Sequence, residues 1–242
     1  MDQPQLPQNV HRIEPDSPFT FDCSPDSRCF TRCCRQLELA LGPYDVLRLC
    51  RATGLGSAEL LDRYVIIEKL ESDVFPRLYL TMVDDGQASC VFVTPSGCSV
   101  YRDRPGACRT YPMGRAVIRE GETLSDFFVL LKETHCLGFS CKRSHTPRSY
   151  TDDQHLTPYN RFNDALAALI QHEQIRGGRV FTTEQLDLFI LALYNLDSFK
   201  AQLISGTLSP IHGDDVQDLS TWDRERLLLY GIDWLQKSLF ND

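Results

Sequence analysis

The chain carries ten cysteines, at positions 23, 29, 33, 34, 50, 90, 98, 108, 136 and 141. Their pattern is Cys23-x5-Cys29-x3-Cys33-Cys34, then Cys90-x7-Cys98-x9-Cys108, then Cys136-x4-Cys141. Thiolates are soft ligands, and sets of four suit tetrahedral zinc or an iron–sulfur cluster. The spacings match neither the common zinc ribbon nor the ferredoxin run, so it is the density of thiols that points to a metal. Neighbouring side chains diverge by about 100° on a helix and about 180° on a strand, so Cys33 and Cys34 do not suit one small site together. Either the pair faces two centres or one member is a packed thiol. Cys50 sits at an apolar position of a predicted helix with Val46 and Leu49 and reads as a small buried hydrophobe. The remaining nine, Cys23, Cys29, Cys33, Cys34, Cys90, Cys98, Cys108, Cys136 and Cys141, are the candidate metal ligands, enough for one or two sites.

The alternative use of cysteine is the disulfide, which requires an oxidising compartment. The polar opening MDQPQLPQNVHRIEPDSP does not read as a secretory signal. The expectation is a cytoplasmic protein with reduced thiols. Apolar runs such as that from Leu186 to Tyr194, broken by Asp187, fall short of the roughly 20 residues needed to span a membrane. A formal net charge of −8 weighs against general nucleic-acid binding, which depends on neutralising phosphates.

Positive charge is nevertheless concentrated near the thiols. Arg28, Arg32 and Arg35 interleave with the first cysteines, and Arg102, Arg104, Arg109, Arg115 and Arg119 accompany the second group. A four-thiolate zinc site or an oxidised cubane keeps a net charge of about −2, which nearby cations would offset. An exposed basic face, or a docking patch for an anionic substrate or an RNA element, accounts for the same residues. Tyr111-Pro112, directly after Cys108-Arg109, would make a rigid wall with its hydroxyl directed at a sulfur, or simply part of the core. Arg102, Arg104, Arg109 and Tyr111 are therefore the candidate cofactor-binding residues. His135 and His145 flank the last two cysteines, and Cys141 and His145 would share a face if that stretch were helical.

These residues resemble the CxxCxxCC cysteine-cluster family, also called YkgJ-type, described as a zinc- or iron-chelating domain. The resemblance rests on the C…C…CC start, the helix opening Pro43-Tyr44-Asp45-Val46, and the stretch from Gly97-Cys98-Ser99-Val100-Tyr101 through Cys108-Arg109-Thr110-Tyr111-Pro112. Leu156-Thr157-Pro158-Tyr159 and Tyr194-Asn195-Leu196-Asp197 are similar to the helical tail of longer members. It implies metal ligation by Cys23 or Cys29 and by Cys33, Cys34, Cys90, Cys98 and Cys108, with Cys136 a further ligand. The first two gaps are wider here than in the compact family pattern. The flagellin lysine-N-methylases share the cysteine motif, but the one glycine-rich candidate for a nucleotide loop, Gly54-Leu55-Gly56-Ser57, follows a predicted helix and not a strand.

The elements that must position the thiols are mixed. Ser24-Pro25 predicts a short helix carrying Cys29 and Cys33. Alternation from Leu37 to Leu41 predicts a strand, and Gly42-Pro43 starts a helix from Tyr44 to Ala52 that Gly54 ends. A second helix follows over Ala58–Tyr64. Hairpins are predicted over Arg77–Val83 and Cys90–Thr94, around Asp84-Asp85-Gly86, and over Arg115–Arg119 and Phe127–Leu131, around Glu120-Gly121-Glu122. Beyond residue 150 the periodicity is helical over 160–171, 183–194 and 222–239, with a capping box at Thr182-x-x-Gln185.

The expected fold is α+β: an extended or disordered arm over 1–14, an irregular, loop-rich, metal-stabilised cysteine-cluster domain with short strands over 15–148, and a helical region over 149–242 packing on it. The expected cofactor is zinc or an iron–sulfur cluster, in a structural or redox role. Two alternatives remain open. One is a cluster-dependent enzyme acting on a protein or RNA substrate, for example methylase-like. The other is a metal-handling protein, with the C-terminal helices as a surface for a protein partner. No catalytic motif for hydrolysis or phosphate binding is present.

Overall fold

The computed structural model describes residues 6–120, 123–212 and 218–240. The fold is α+β, with short strands in small sheets and a helical C-terminal region. The chain forms two compact units. The cysteine-bearing unit comprises residues up to Leu37, Met82–Tyr101 and Gly106–Pro158, and the helical unit comprises Glu38–Thr81, Arg102–Pro105 and the residues from Tyr159 on.

In the cysteine-bearing unit the largest sheet has three antiparallel strands, β1 (Val10–Ile13), β10 (Thr123–Leu131) and β9 (Met113–Glu120), in the order β1-β10-β9. The arm before the first cysteine is thus an edge strand in register with β10, Val10 opposite Leu131 and Ile13 opposite Phe128. The predicted hairpin over 115–131 is the β9–β10 pair, although Gly121 and Glu122 of its turn lie outside the described residues. Phe19, Phe21, Met113, Leu130, Tyr150 and Leu156 form the buried core, against which Tyr111, Cys136 and Phe139 pack. Two-residue ladders complete the unit: β2 (Phe19–Thr20) with β11 (Ser144–His145), β5 (Met82–Val83) with β6 (Ser89–Cys90), and β7 (Val93–Thr94) with β8 (Gly97–Cys98). Strands this short gain little from their own hydrogen bonds, so something besides the ladders must hold their register.

Two expectations are corrected here. The helix predicted after Ser24-Pro25 is instead a run of tight turns, with Phe30 N–H donating to Ser27, Arg32 to Cys29 and Cys34 to Thr31. The run ends in a single 3-10 turn over Arg32–Cys34, preceded by Thr31 at φ 62°. A residue in the left-handed region cannot continue an α-helix. The hairpin predicted to pair Arg77–Val83 with Cys90–Thr94 divides: β4 (Arg77–Leu80) pairs with β3 (Val65–Glu68) in the helical unit, and Met82–Val83 pairs with β6. The strand predicted from Leu37 to Leu41 is a single bridge, Ala40 to Tyr79, with Leu39 and Leu41 buried as their alternation requires.

The helical unit is built on α1 (Pro43–Thr53) and α2 (Ser57–Tyr64), together with the later helices. Asp45 accepts the Gly42 N–H at 2.8 Å and opens α1; Gly54, at φ 73°, closes it. The two glycines of Gly54-Leu55-Gly56 are therefore taken up by helix ends, which accounts for the glycine pair without a nucleotide. Cys50 lies buried in α1 at 2% exposure, as its apolar spacing predicts. After α3 (Gly106–Thr110) and α4 (Pro147–Asp153) of the other unit come α5 (Thr157–Ile170), α6 (Glu173–Arg176), α7 (Thr183–Leu193), α8 (Leu196–Ile204) and α9 (Arg224–Phe240). The Thr182/Gln185 capping box is present, with reciprocal bonds of 3.0 and 3.3 Å. Tyr44 stacks on Phe162 at 4.3 Å, and Phe75 on Phe189 at 4.2 Å. Asp197 receives the Ser57 N–H at 2.8 Å and the Arg224 guanidinium at 2.9 Å, so one carboxylate caps α2 from α8 and ties down α9. No helix among the described residues is long and apolar enough to cross a membrane.

The α7–α9 crossing is the tightest point of this unit. A Cβ on Gly231 would lie 2.3 Å from the carbonyl oxygen of Ala192. Gly231→Ala forces the two helices apart and is expected to destabilise the protein by ~1–3 kcal/mol. Denaturant unfolding followed by far-UV circular dichroism measures this; an unchanged midpoint would show that the crossing is looser than described.

Candidate metal centre

Three local structures carry the thiols. The turns between Ser24 and Cys34 hold Cys29, Cys33 and Cys34, with Cys23 just before them. The ladders β5–β6 and β7–β8 carry Cys90 and Cys98, and α3 carries Cys108. Cys136 lies in the loop after β10, where its N–H donates to Glu133 at 3.0 Å, and Cys141 follows a 3-10 turn over Gly138–Ser140. Gly138 sets how closely this loop lies against the first cysteines. A Cβ there would lie 2.5 Å from the Phe21 ring and 2.8 Å from the Asp22 carbonyl, whereas the bare backbone accepts the Asp22 N–H at 3.0 Å. The loop also sends the Leu137 N–H to Cys29 Sγ at 3.3 Å. Such N–H donation to sulfur accompanies thiolate ligands of metals.

Electrostatic interactions link the thiols, with Cys33 and Cys34 joined to each other and to different neighbours. Partial burial, then Cys33, Cys29 and Cys136, push the Cys23 thiol up to about 11. Charge on Cys23 is thus opposed by three other thiols of the unit. On the other side of the adjacent pair, Cys34 is raised by its hydrogen bond to Cys33, by burial, and by Cys33, Cys108 and Cys90. Cys90 is raised by burial and in turn by Cys98. Cys33 shifts down, because it accepts the hydrogen bond from Cys34 and feels Arg35, against burial and Glu133. Cys23 is thus linked to Cys29, Cys33 and Cys136, Cys34 to Cys33, Cys90 and Cys108, and Cys90 to Cys98. None of these interactions reaches Cys141, whose Sγ lies 3.7 Å from the Arg143 carbonyl oxygen.

All ten cysteines are free thiols. Among the described residues, no three His, Cys, Asp or Glu side chains converge closely enough to hold one ion as they stand. The sulfurs do not form a closed coordination shell. Their chemistry nonetheless fits a soft cation. The linked thiols are soft donors, and at Cys23, Cys34 and Cys90 other thiols oppose ionisation. A bound cation reverses that opposition, since a coordinating thiol is deprotonated outright.

The other predicted residues are distributed differently. Arg109 is buried and donates to the Gln154 carbonyl at 2.8 Å. Arg102 and Arg104 belong to the helical unit. There the Arg104 carbonyl accepts from the Tyr159 hydroxyl at 3.0 Å, and the Arg102 carbonyl from Arg48 at 3.4 Å. Arg115 pairs with Asp126 at 2.7 Å, and the Arg119 side chain lies outside the described residues. Tyr111 packs on the core beside Cys136, its ring edge-on to Phe21 at 6.2 Å. His145 is neither on a helix nor exposed. It is buried in β11, with its Nε2 3.2 Å from the Phe21 carbonyl and its ring against Phe19 and Tyr150. Glu133 is a residue that the sequence reading missed. It acts on both Cys33 and Tyr111, and its only signal is its place three residues before Cys136.

Residues 22–137 match the model of the CxxCxxCC family, described as a "putative zinc- or iron-chelating domain". No curated protein and no solved structure was found to match the chain. The matched segment starts one residue before Cys23 and stops one after Cys136, so it encloses the linked thiols and leaves Cys141 outside. Residues 22–137, just under half of the chain, are thus similar to the CxxCxxCC family.

Proposed function

We propose that the cysteine-bearing unit holds two metal centres back to back, one on Cys23, Cys29, Cys33 and Cys136 and one on Cys34, Cys90, Cys98 and Cys108. The observation that supports this reading is that Cys33 and Cys34, adjacent in sequence, interact with different further thiols. Four thiolates per centre suit zinc or an iron–sulfur cluster, and either would fix the register of the short ladders that carry Cys90 and Cys98. Zinc would supply a structural cross-link; a cluster would add one-electron chemistry. With all four donors from protein, each centre leaves no open position of the kind that catalysis on a zinc-bound water requires.

The two centres predict a specific stoichiometry. Cys33→Ser and Cys34→Ser should each remove one metal equivalent of two, measured by inductively coupled plasma mass spectrometry, while Cys50→Ser removes none. Loss of both equivalents from either variant would mean one shared site. Absorbance near 400 nm with acid-labile sulfide, on anaerobically purified protein, identifies the iron–sulfur occupant; a colourless protein with stoichiometric zinc identifies the other.

The exposure of Cys23 favours metal handling as a second reading of the first centre. Its ligand set is open to solvent on one side, so a competing ligand reaches it directly. Chelator challenge of the zinc-loaded protein should then release metal in two phases, with the fast phase absent from Cys23→Ser. A single phase would argue against an exchangeable first centre.

A further inference from the structure

The two thiol groups differ in what surrounds them. Tyr111, Glu133 and His135 gather at the first. The Tyr111 hydroxyl is buried and makes no hydrogen bond of good geometry, yet the groups that act on it are Cys136 and Glu133. The ring cannot swing away. It is wedged edge-on to Phe21 at 6.2 Å, in the core that also packs Cys136, and the Tyr150 hydroxyl fixes its backbone by donating to the Tyr111 carbonyl at 2.7 Å. Glu133 is shared, since it also opposes charge on Cys33 and lies 3.6 Å from His135 Nε2. A buried hydroxyl without a partner costs about 1–3 kcal/mol. The sulfur beside it becomes a much better acceptor once it is a thiolate, because hydrogen bonds to ionised groups are roughly twice as strong as neutral ones.

We propose that Tyr111 is a positioning and tuning residue for the first centre, its O–H donating to Cys136 Sγ when that sulfur is ligated. This rests on the reading of Cys23, Cys29, Cys33 and Cys136 as a metal centre. The bond withdraws electron density from one of four donors, which weakens that thiolate's donation and makes the sulfur less nucleophilic. In the second group Cys90 accepts instead from the backbone N–H groups of Phe92 and Val93, so the two centres differ in the kind of donor that meets a sulfur. For an iron–sulfur occupant, a hydrogen bond to sulfur is one of the determinants of reduction potential.

The test uses the full chain loaded with cadmium-113, which reports each thiolate site by its own resonance. The wild-type protein should give two resonances, one of them scalar-coupled through sulfur to a tyrosine hydroxyl proton that disappears in D2O. Tyr111→Phe should shift that resonance, leave the other in place and keep both cadmium equivalents. It should also speed alkylation of Cys136 in the loaded protein several-fold, because the sulfur regains its nucleophilicity. Tyr194→Phe removes a buried hydroxyl of the helical unit, which donates to the Leu41 carbonyl, and should leave both resonances where they are. Two resonances that Tyr111→Phe does not move, with no hydroxyl coupling, overturn the inference and leave the two centres standing. Failure of the wild-type protein to bind cadmium through thiolates overturns both. If Tyr111→Phe does not fold, the hydroxyl coupling in the wild-type protein decides.

Discussion

Cys33 and Cys34 are the constraint on which the cysteine-bearing unit turns: adjacent in sequence and hydrogen-bonded to each other, they also interact with different further thiols. Beyond their mutual bond, Cys33 acts on Cys23, and Cys34 feels Cys108 and Cys90, so thiols from remote parts of the chain are brought to both members of the pair. The turns from Ser24 to Cys34 stand where the sequence predicts a helix. Thr31 in the left-handed region is where that replacement is forced. The two-residue ladders carrying Cys90 and Cys98 have too few hydrogen bonds to hold themselves, so the thiols they present are also what would hold them once ligated.

Chemistry was more legible in the sequence than geometry. The thiol density, the separate fate of Cys50 and the conflict within Cys33-Cys34 follow from ligand preference, helical periodicity and side-chain direction, all of them local properties. The capping box at Thr182 and Gln185 and the helix from Pro43 were legible for the same reason. What could not be read was pairing. Arg77–Leu80 and Met82–Val83 form one continuous apolar run, and nothing in it shows that its two halves pair with strands in different units. His145 misled because its spacing from Cys141 suggests a shared helical face, whereas β11 buries it against Phe19 and Tyr150. Glu133 was invisible because a carboxylate three residues before a cysteine carries no motif; only the loop that brings it to Tyr111 and Cys33 gives it a role.

The arginines illustrate how charge in sequence and charge in space differ. Read along the chain, Arg102, Arg104 and Arg109 form a cluster beside the second group of cysteines. In the structure Arg109 is spent on a backbone carbonyl, while the backbone around Arg102 and Arg104 is bound to Arg48 and Tyr159 of the helical unit. Arg35, from outside that run, acts on a candidate ligand, Cys33. A run of cations in sequence is therefore a weak guide to which of them offset a thiolate.

The order in which the chain visits its two units has a consequence for synthesis. Residues 38–81 belong to the helical unit yet lie between Cys34 and Cys90, and Cys136 is about a hundred residues beyond Cys34. At bacterial-to-eukaryotic elongation rates, roughly 5–20 s pass before Cys136 leaves the ribosome. During that interval Cys23, Cys29 and Cys33 are unprotected thiols on an unfolded chain, and Asp197, which caps α2, has not yet been made. The nascent protein is at its most vulnerable to oxidation while these early sulfurs are out and Cys136 has yet to arrive. A cell that makes this protein must therefore keep its nascent thiols reduced, or supply metal early enough to occupy them.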